Sequence, residues 1–226
     1  GVTVFLDHQQ PSGHIARSVP SNYKKDDEHV KPFLSQTTLL VFDQYSDEDW
    51  MTPSYFEKLK KYLDYWLQDM DSNNNGLSEW MSAPHTGMDN QHERAGWWKD
   101  RISEGVDLNS YLVKEMLAFS EIAKRLGKPK IAKEYKELAE KRKQTIQEML
   151  WNEEDGFFYD LGHAKTVYGT NRGGPQHIKV KSVAGFMPLW AGVATKRQAE
   201  RIINDYLLNP NEFWTEYPVP ALAISE

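Results

Sequence analysis

The sequence predicts an all-α fold, a toroid in which helices pair antiparallel around a ring. Three observations predict it. Amphipathic segments with an apolar spacing near 3.6 residues recur along the chain. Their connections alternate between long polar loops and tight turns, which in a ring of helical hairpins gathers the long loops at one end, where a pocket opens. No series of strands is present that would build a large sheet.

The first part of the chain supplies three helical segments. Residues 2–9 are typical of the end of a helix, which Pro11 and Gly13 terminate. Residues 30–45 predict a second helix with Pro32 in its first turn, where a missing N–H is harmless. The apolar face of that helix comprises Phe33, Leu34, Thr37, Leu40 and Val41. Pro53 begins a third helix that ends near Asp69. Its predicted buried stripe comprises Tyr55, Phe56, Leu59, Tyr62, Leu63 and Trp66.

The second part supplies four more. Residues 106–127 predict a long amphipathic helix that ends at Gly127, and residues 129–150 predict a helix with a solvated face of Glu and Lys. Residues 151–160 predict a short aromatic hairpin around an Asp-Gly turn. Residues 180–194 and 196–208 predict a last helix pair. Because the helix pairs share no strict repeat length, a simple solenoid is the weaker alternative.

Composition bounds the class of protein. The 226 residues are 39% hydrophobic and 27% charged, enough for one sizeable globular domain or two small ones. The net charge of −6, with both signs mixed along the chain, predicts no nucleic-acid partner. No apolar run approaches about 18 residues, so no membrane span is predicted. The absence of cysteine leaves the compartment undetermined. Because the chain begins at Gly1 without a basic leader, we expect an internal part of a longer protein.

Residues 71–98 form a loop dense in polar and aromatic side chains, and its first part predicts a structural calcium site. The proposed ligands alternate around Gly76 and are Asp71, Asn73, Asn75, the carbonyl of Leu77, and Glu79. Such oxygen ligands at alternate positions suit a hard cation. Ser78 and Ser82 depart from the full helix-loop-helix calcium motif, which indicates an isolated loop. An Asn-rich turn that caps the next segment is the other interpretation.

The second part of this loop holds one carboxylic acid, Asp89, close in sequence to Trp80, Met88, Trp97 and Trp98. An apolar surround raises the pKa of a carboxyl, because the charged form loses its hydration. A raised pKa suits a general acid, and such an acid facing a second carboxylate hydrolyses glycosides. An Asp that caps a helix or accepts from backbone amides is the alternative.

Five motifs in order resemble glycoside hydrolase family 63. They are Thr86 to Asn90 with Trp97 and Trp98, then Val106 to Asn109, Leu150 to Glu153, Asp155 to Asp160, and Gly185 to Val193. This family includes α-glucosidases and mannosylglycerate hydrolases and is related to the family 37 trehalases. The resemblance spans nearly the whole chain. It implies that residues 1–226 are part of a single (α/α)6 catalytic domain, incomplete in this chain.

The resemblance also implies an activity and a site. It implies hydrolysis of α-linked glucosides or related small α-glycosides with inversion, with Asp89 as the general acid. Some members bind calcium in a loop like that of residues 71–79. The implied substrate-binding residues are Asn90, Trp97, Trp98, Asp107 and Asn109, to which the loop position of Arg17 adds a further candidate. For Asp107 and Asn109, capping of the long helix is the alternative.

Two departures from the family pattern are visible. Gln91 and His92 follow Asn90 where the family continues Ser-Pro. The general base of the family is a Glu far downstream, beyond Glu226, so we assign none here and expect the remainder of the same enzyme, or a second chain, to complete the barrel. A non-catalytic helical carbohydrate-binding or scaffold protein is therefore the alternative from another class. Among enzymes, a trehalase or a mannosylglycerate-type hydrolase is the alternative to an α-glucosidase.

Overall fold

A computed structural model describes residues 1–19, 28–96, 103–162 and 175–226. The chain forms two compact units, one of residues 1–78 and 111–141, the other of residues 79–110 and 142–226. The prediction of a single domain remains a prediction. No helix in the described ranges is long and apolar enough to cross a membrane.

The first unit is helical. Its elements are α1 (Val2–Asp7), α2 (Leu34–Tyr45) and α3 (Pro53–Gln68). Thr52 caps α3 by accepting a hydrogen bond from the Tyr55 amide, and Pro53 occupies the first turn, as predicted. The buried face of α3 comprises Phe56, Leu59, Tyr62, Leu63 and Trp66, which confirms the predicted stripe except for the half-buried Tyr55.

The predicted start of α2 is wrong, and of its predicted apolar face only Leu34 is buried. The helix begins at Leu34 rather than at residue 30, so Pro32 lies outside it. The carboxylate of Glu115 accepts hydrogen bonds of 2.9 Å from the backbone amides of Ser35 and Gln36, and thereby satisfies the first turn of α2. The buried residues of α2 are Leu34, Ser35, Thr38 and Phe42, whereas Leu40 is 67% exposed.

Short helices and strands follow in the second unit. These are α4 (Ala83–Thr86), α5 (His92–Ala95) and β1 (Ser103–Glu104). The long helices α6 (Val106–Arg125) and α7 (Pro129–Met149) contribute residues to both units. Gly127, with a φ of 71°, ends α6 as predicted, because only glycine adopts that conformation without strain.

The remaining elements complete the second unit. Strands β2 (Trp151–Asn152) and β3 (Phe157–Phe158) form the predicted aromatic hairpin. Strands β4 (Asp160–Gly162) and β5 (Gln176–Ile178) join β1 in an antiparallel sheet of order β1-β4-β5, which was not predicted.

The predicted helix of residues 180–194 is interrupted. A 3-10 helix (Val183–Phe186) precedes the short α8 (Met187–Trp190). Gly185 lies so close to Phe157 that an added Cβ would come within 2.5 Å of its Cζ atom, so this position does not accept a residue larger than glycine without a shift. Helix α9 (Lys196–Ile202) begins at Thr195 with a capping box formed with Gln198, and continues as a π-helical turn (Ile203–Leu207).

Candidate active site

Asp89 lies at the tip of a β-turn in the second unit. Ser82 caps α4 by accepting from the His85 amide, and Gly87, with a φ of 85°, ends that helix in the left-handed conformation. The next four residues form a turn that is closed by a 2.9 Å hydrogen bond from the Gln91 amide to the Met88 carbonyl. Asp89 and Asn90 are the two central residues of this turn, and both are exposed. The turn therefore exposes the Asp89 carboxyl group to solvent, whereas the sequence predicted an apolar surround for it.

Behind the turn lies a buried cluster of one cation and two carboxylates. Arg94, in α5, is 2% exposed. Its Nη2 atom donates to Asp107 Oδ1 at 2.8 Å, and its Nε atom lies 2.6 Å from Asp160 Oδ2. Both carboxylate side chains are fully buried. The guanidinium thus offsets the buried charge of the two carboxylates in part, while Oδ2 of each carboxylate accepts no hydrogen bond from the residues that the structure describes.

The same carboxylates hold the start of α6. Asp160 Oδ1 accepts from the Val106 amide at 2.8 Å, and Asp107 Oδ1 accepts from the indole N–H of Trp80 at 2.8 Å. These contacts join strand β4, the first turn of α6 and the segment before α4. Trp80, predicted near Asp89, is fully buried beside Asp107.

Burial and the neighbouring charges shift the pKa values of Asp160 and Arg94. Burial raises the pKa of Asp160 to about 6, because desolvation and the neighbouring Asp107 outweigh the opposing effect of Arg94. Burial by itself lowers the pKa of the Arg94 guanidinium, but the two carboxylates raise it above its ordinary value. Arg94 therefore stays charged.

Gly105 reveals how tightly the cluster is packed. A Cβ at this position would lie 2.5 Å from Trp80 Cδ1 and 2.7 Å from Asp107 Oδ1. We predict that Gly105→Ala lowers the free energy of unfolding by about 1–3 kcal/mol, since overpacking forces the indole or the carboxylate to move. Urea denaturation measures the change. Gly162→Ala, in β4, is the matched control, because its nearest atom, 3.1 Å away, belongs to the flexible Ile178 side chain. An equal loss in both variants would contradict this account of Gly105.

The other predicted substrate-binding residues have different surroundings. Asn109 is fully buried, donates to the Gly105 carbonyl at 2.8 Å and accepts from Arg142 Nη1 at 2.6 Å. Arg17 belongs to the first unit and forms a 2.7 Å ion pair with Glu28. Trp97 and Trp98 lie outside the described residues. The substrate-binding roles of these residues remain predictions.

Sequence reasoning missed Arg94 and Asp160. Each was part of a segment noted for another reason, Arg94 in the central polar loop and Asp160 at the end of the aromatic hairpin. Arg94 is 13 residues from Asp107 and 66 residues from Asp160 along the chain, so no local spacing reveals the pairing.

The predicted calcium loop is held by its own amides. Asp71 accepts from the amides of Asn75 and Gly76 at 3.1 and 2.8 Å, and Asn75 Oδ1 accepts from the Leu77 amide at 2.9 Å. Glu79 is fully buried and belongs to the other unit. No group of three or more His, Asp or Glu side chains that could hold a metal occurs within the described ranges, so the loop would depend on carboxamide and carbonyl oxygens.

Comparison with known proteins identifies a family that spans the chain and relatives that match about half of it. The family model of the mannosylglycerate hydrolase MGH1-like glycoside hydrolase domain matches residues 2–226. The cytosolic neutral trehalase of Kluyveromyces lactis is 33% identical over an alignment of 117 residues that covers 48% of this chain and 14% of that protein. An uncharacterized protein of Borreliella burgdorferi is 31% identical over 121 residues, 54% of this chain and 23% of that protein. The chain thus spans less than a quarter of the length of these two relatives.

Solved structures show the same fold. The GH63 mannosylglycerate hydrolase of Thermus thermophilus, in complex with Tris, has a TM-score of 0.71 at 16% identity, covering 100% of this chain and 68% of that one. The neutral trehalase of Saccharomyces cerevisiae has a TM-score of 0.59 at 18% identity, covering 85% of this chain and 45% of that one. These likenesses confirm the predicted fold class, the all-α fold of (α/α)6 toroid enzymes, of which this chain covers a part.

Proposed function

We propose that this chain, which belongs to the mannosylglycerate hydrolase MGH1-like family of glycoside hydrolase domains, is part of an inverting hydrolase of α-linked glucosides or related small α-glycosides, with Asp89 as the general acid. The observation that carries the proposal is the placement of Asp89. Its carboxyl is exposed at the tip of a turn, and the turn lies next to the buried cluster of Arg94, Asp107 and Asp160.

Inversion assigns separate roles to two carboxyl groups. The Asp89 carboxyl donates its proton to the leaving glycosidic oxygen, so that the departing sugar leaves as a neutral alcohol. A second carboxylate, about 6.5–9.5 Å away, deprotonates the water that attacks the opposite face of the anomeric carbon. We propose that this base is a Glu outside this chain, supplied by the remainder of the enzyme or by a second chain.

The neighbours of Asp89 have distinct roles in this proposal. Asn90 is exposed beside Asp89, where its carboxamide reaches sugar hydroxyl groups. Asp107 and Asn109 are buried and act indirectly, by holding the start of α6 and the segments around it.

The test is sugar release by the full-length protein from trehalose, mannosylglycerate and an aryl α-glucoside. The first two substrates are suggested by the names of the relatives, a trehalase and a mannosylglycerate hydrolase. Release from at least one of the three is expected. Binding of a sugar without any product would favour the carbohydrate-binding alternative and contradict the proposed activity.

We also propose that residues 71–77 bind a structural calcium ion. The Asp71 carboxylate, the carboxamides of Asn73 and Asn75 and the Leu77 carbonyl would supply only oxygen ligands, which suits this cation. Support comes from the amide contacts that already fold the Asp71 and Asn75 side chains into the loop.

Removal of calcium is expected to destabilise the protein. A ligand that binds only the folded state at about 100 times its dissociation constant stabilises that state by about 2.7 kcal/mol. We predict that excess calcium raises the Tm of protein stripped with EDTA and that Asp71→Asn abolishes this rise. Asp69→Asn, an exposed position just before the loop, should retain it. A calcium effect of equal size in Asp71→Asn, or none in the wild type, would exclude the site.

A further inference from the structure

Arg94 contacts both ends of the turn that carries Asp89. Its Nη1 atom lies 3.4 Å from the Gln91 side-chain oxygen Oε1 and 3.7 Å from the Met88 sulfur. Met88 and Gln91 are the residues whose backbone hydrogen bond closes the turn. One nitrogen therefore contacts the side chains on both sides of the exposed Asp89.

The other two nitrogens of the same guanidinium are anchored in the interior. Nε and Nη2 contact Asp160 and Asp107 at 2.6 and 2.8 Å. The guanidinium group is planar and rigid, so fixing two of its nitrogens fixes the third. Both carboxylates are themselves held, Asp160 by the Val106 amide and Asp107 by Trp80. The position of Nη1 is thus determined by the buried framework.

We propose that Arg94 is a positioning residue for Asp89. Because it contacts both the buried carboxylate pair and the two ends of the turn that carries the acid, it fixes the position of the turn relative to that pair. This inference rests on the proposed function. An acid at the tip of an exposed turn has few contacts of its own, whereas proton transfer requires placement within a fraction of an ångström. A misplacement of about 1 Å costs on the order of 100-fold in rate.

Arg94→Lys tests the inference in the full-length protein. The ammonium group of lysine keeps the positive charge between the carboxylates. Its single nitrogen, however, does not contact the two carboxylates and the turn at the same time. We expect kcat to fall about 10- to 100-fold while KM changes little, since placement of the acid rather than substrate binding is lost. Arg197→Lys, an exposed arginine paired with Glu153, is the matched control and should have wild-type kinetics.

The Asp89→Asn background separates positioning from a general structural effect. If Arg94 acts through Asp89, Arg94→Lys should change the residual rate of Asp89→Asn by less than about twofold, because the two residues act as a unit. A full additional loss in that background would overturn the inference. If Arg94→Lys does not fold, Gln91→Ala decides instead, because it removes one turn contact without touching the ion pairs. Its kcat should fall with KM retained, and a wild-type kcat would overturn the inference.

Amide hydrogen exchange provides a measurement that does not depend on activity. The Gln91 amide, which closes the turn, should exchange faster in Arg94→Lys than in the wild type or in Arg197→Lys. Unchanged exchange together with unchanged kcat would refute the positioning role even if Asp89 is the acid. The opposite combination is also informative. If the Gln91 amide exchanges faster in Arg94→Lys, but Asp89→Asn is fully active, then the contact between Arg94 and the turn is supported and only the proposed function is refuted.

Discussion

Asp89→Asn is expected to reduce kcat by about 10²–10⁴-fold, the range that general acid catalysis contributes, while the variant still binds sugar. Asparagine is nearly isosteric with aspartic acid but has no proton to donate at the glycosidic oxygen. The exposed position of Asp89 and the backbone hydrogen bond of its turn indicate that the substitution leaves the fold intact. Steady-state kinetics and equilibrium titration with the sugar product measure the two quantities separately.

The leaving group provides a sharper test of the same role. A glycosyl fluoride needs little protonation to depart, so its hydrolysis by Asp89→Asn should be impaired much less than hydrolysis of a disaccharide. Asp49→Asn, another exposed aspartate, is the matched control and should have wild-type kinetics. Equal impairment with both classes of substrate would show that Asp89 does not act as the acid, and near-normal activity would exclude it altogether.

Arg94→Met is expected to lower the free energy of unfolding by about 3–5 kcal/mol, because it leaves two carboxylates buried side by side without a cation. Methionine fills much of the volume of the arginine stem, so the loss reflects charge more than packing. Arg197→Met is the control. Its guanidinium is exposed and pairs with Glu153 at the surface, where water and salt screen the ion pair, so little stability should be lost.

The effect of Arg94→Met should also depend on pH. The pKa of Asp160 is already raised from 3.8 to about 6, and removal of the guanidinium raises it further. A carboxyl with a higher pKa in the folded than in the unfolded protein holds its proton more tightly when folded. The free energy of unfolding therefore falls as the pH rises from the unfolded to the folded pKa. The loss caused by the substitution should thus be larger at about pH 8 than at about pH 5. A loss independent of pH, or one below that of Arg197→Met, would contradict the electrostatic account.

Local signals in the sequence sufficed for the long helices. The start of α3 at Pro53 and the end of α6 at Gly127 were predicted correctly, because proline in a first turn and a glycine at the end of a helix act locally. The start of α2 was not, since its first turn is satisfied by Glu115, 80 residues away from Ser35. Long-range contacts of this kind leave no spacing to detect.

The same limit applies to the second unit. Strands of two or three residues carry no alternation of apolar and polar side chains, and β1 pairs with β4 across more than 50 residues, so the sheet could not be predicted. The continuous helix expected over residues 180–194 is wrong because the backbones of Lys181 and Val183 form 2.9 Å hydrogen bonds with Ala223 and Ala221, which are distant in sequence.

Within the candidate site, a motif and the family resemblance indicated Asp89. They did not indicate the buried residues behind the turn that carries it. Arg94 was counted only as part of a polar loop, since its two partners are distant in sequence. Asp107 and Asn109 were predicted to contact substrate or to cap α6. Both side chains are buried, and their contacts with Trp80 and with the Gly105 carbonyl are not helix caps, so both roles remain predictions.

The measurement that tests the central claim most directly is the configuration of the sugar first released by the full-length protein from an aryl α-glucoside or from mannosylglycerate, whose leaving groups are not sugars, followed by ¹H NMR before mutarotation. An inverting enzyme in which Asp89 protonates the leaving oxygen and a base activates water on the opposite face releases the β-anomer first. Initial release of the α-anomer, or no release at all, would contradict the account.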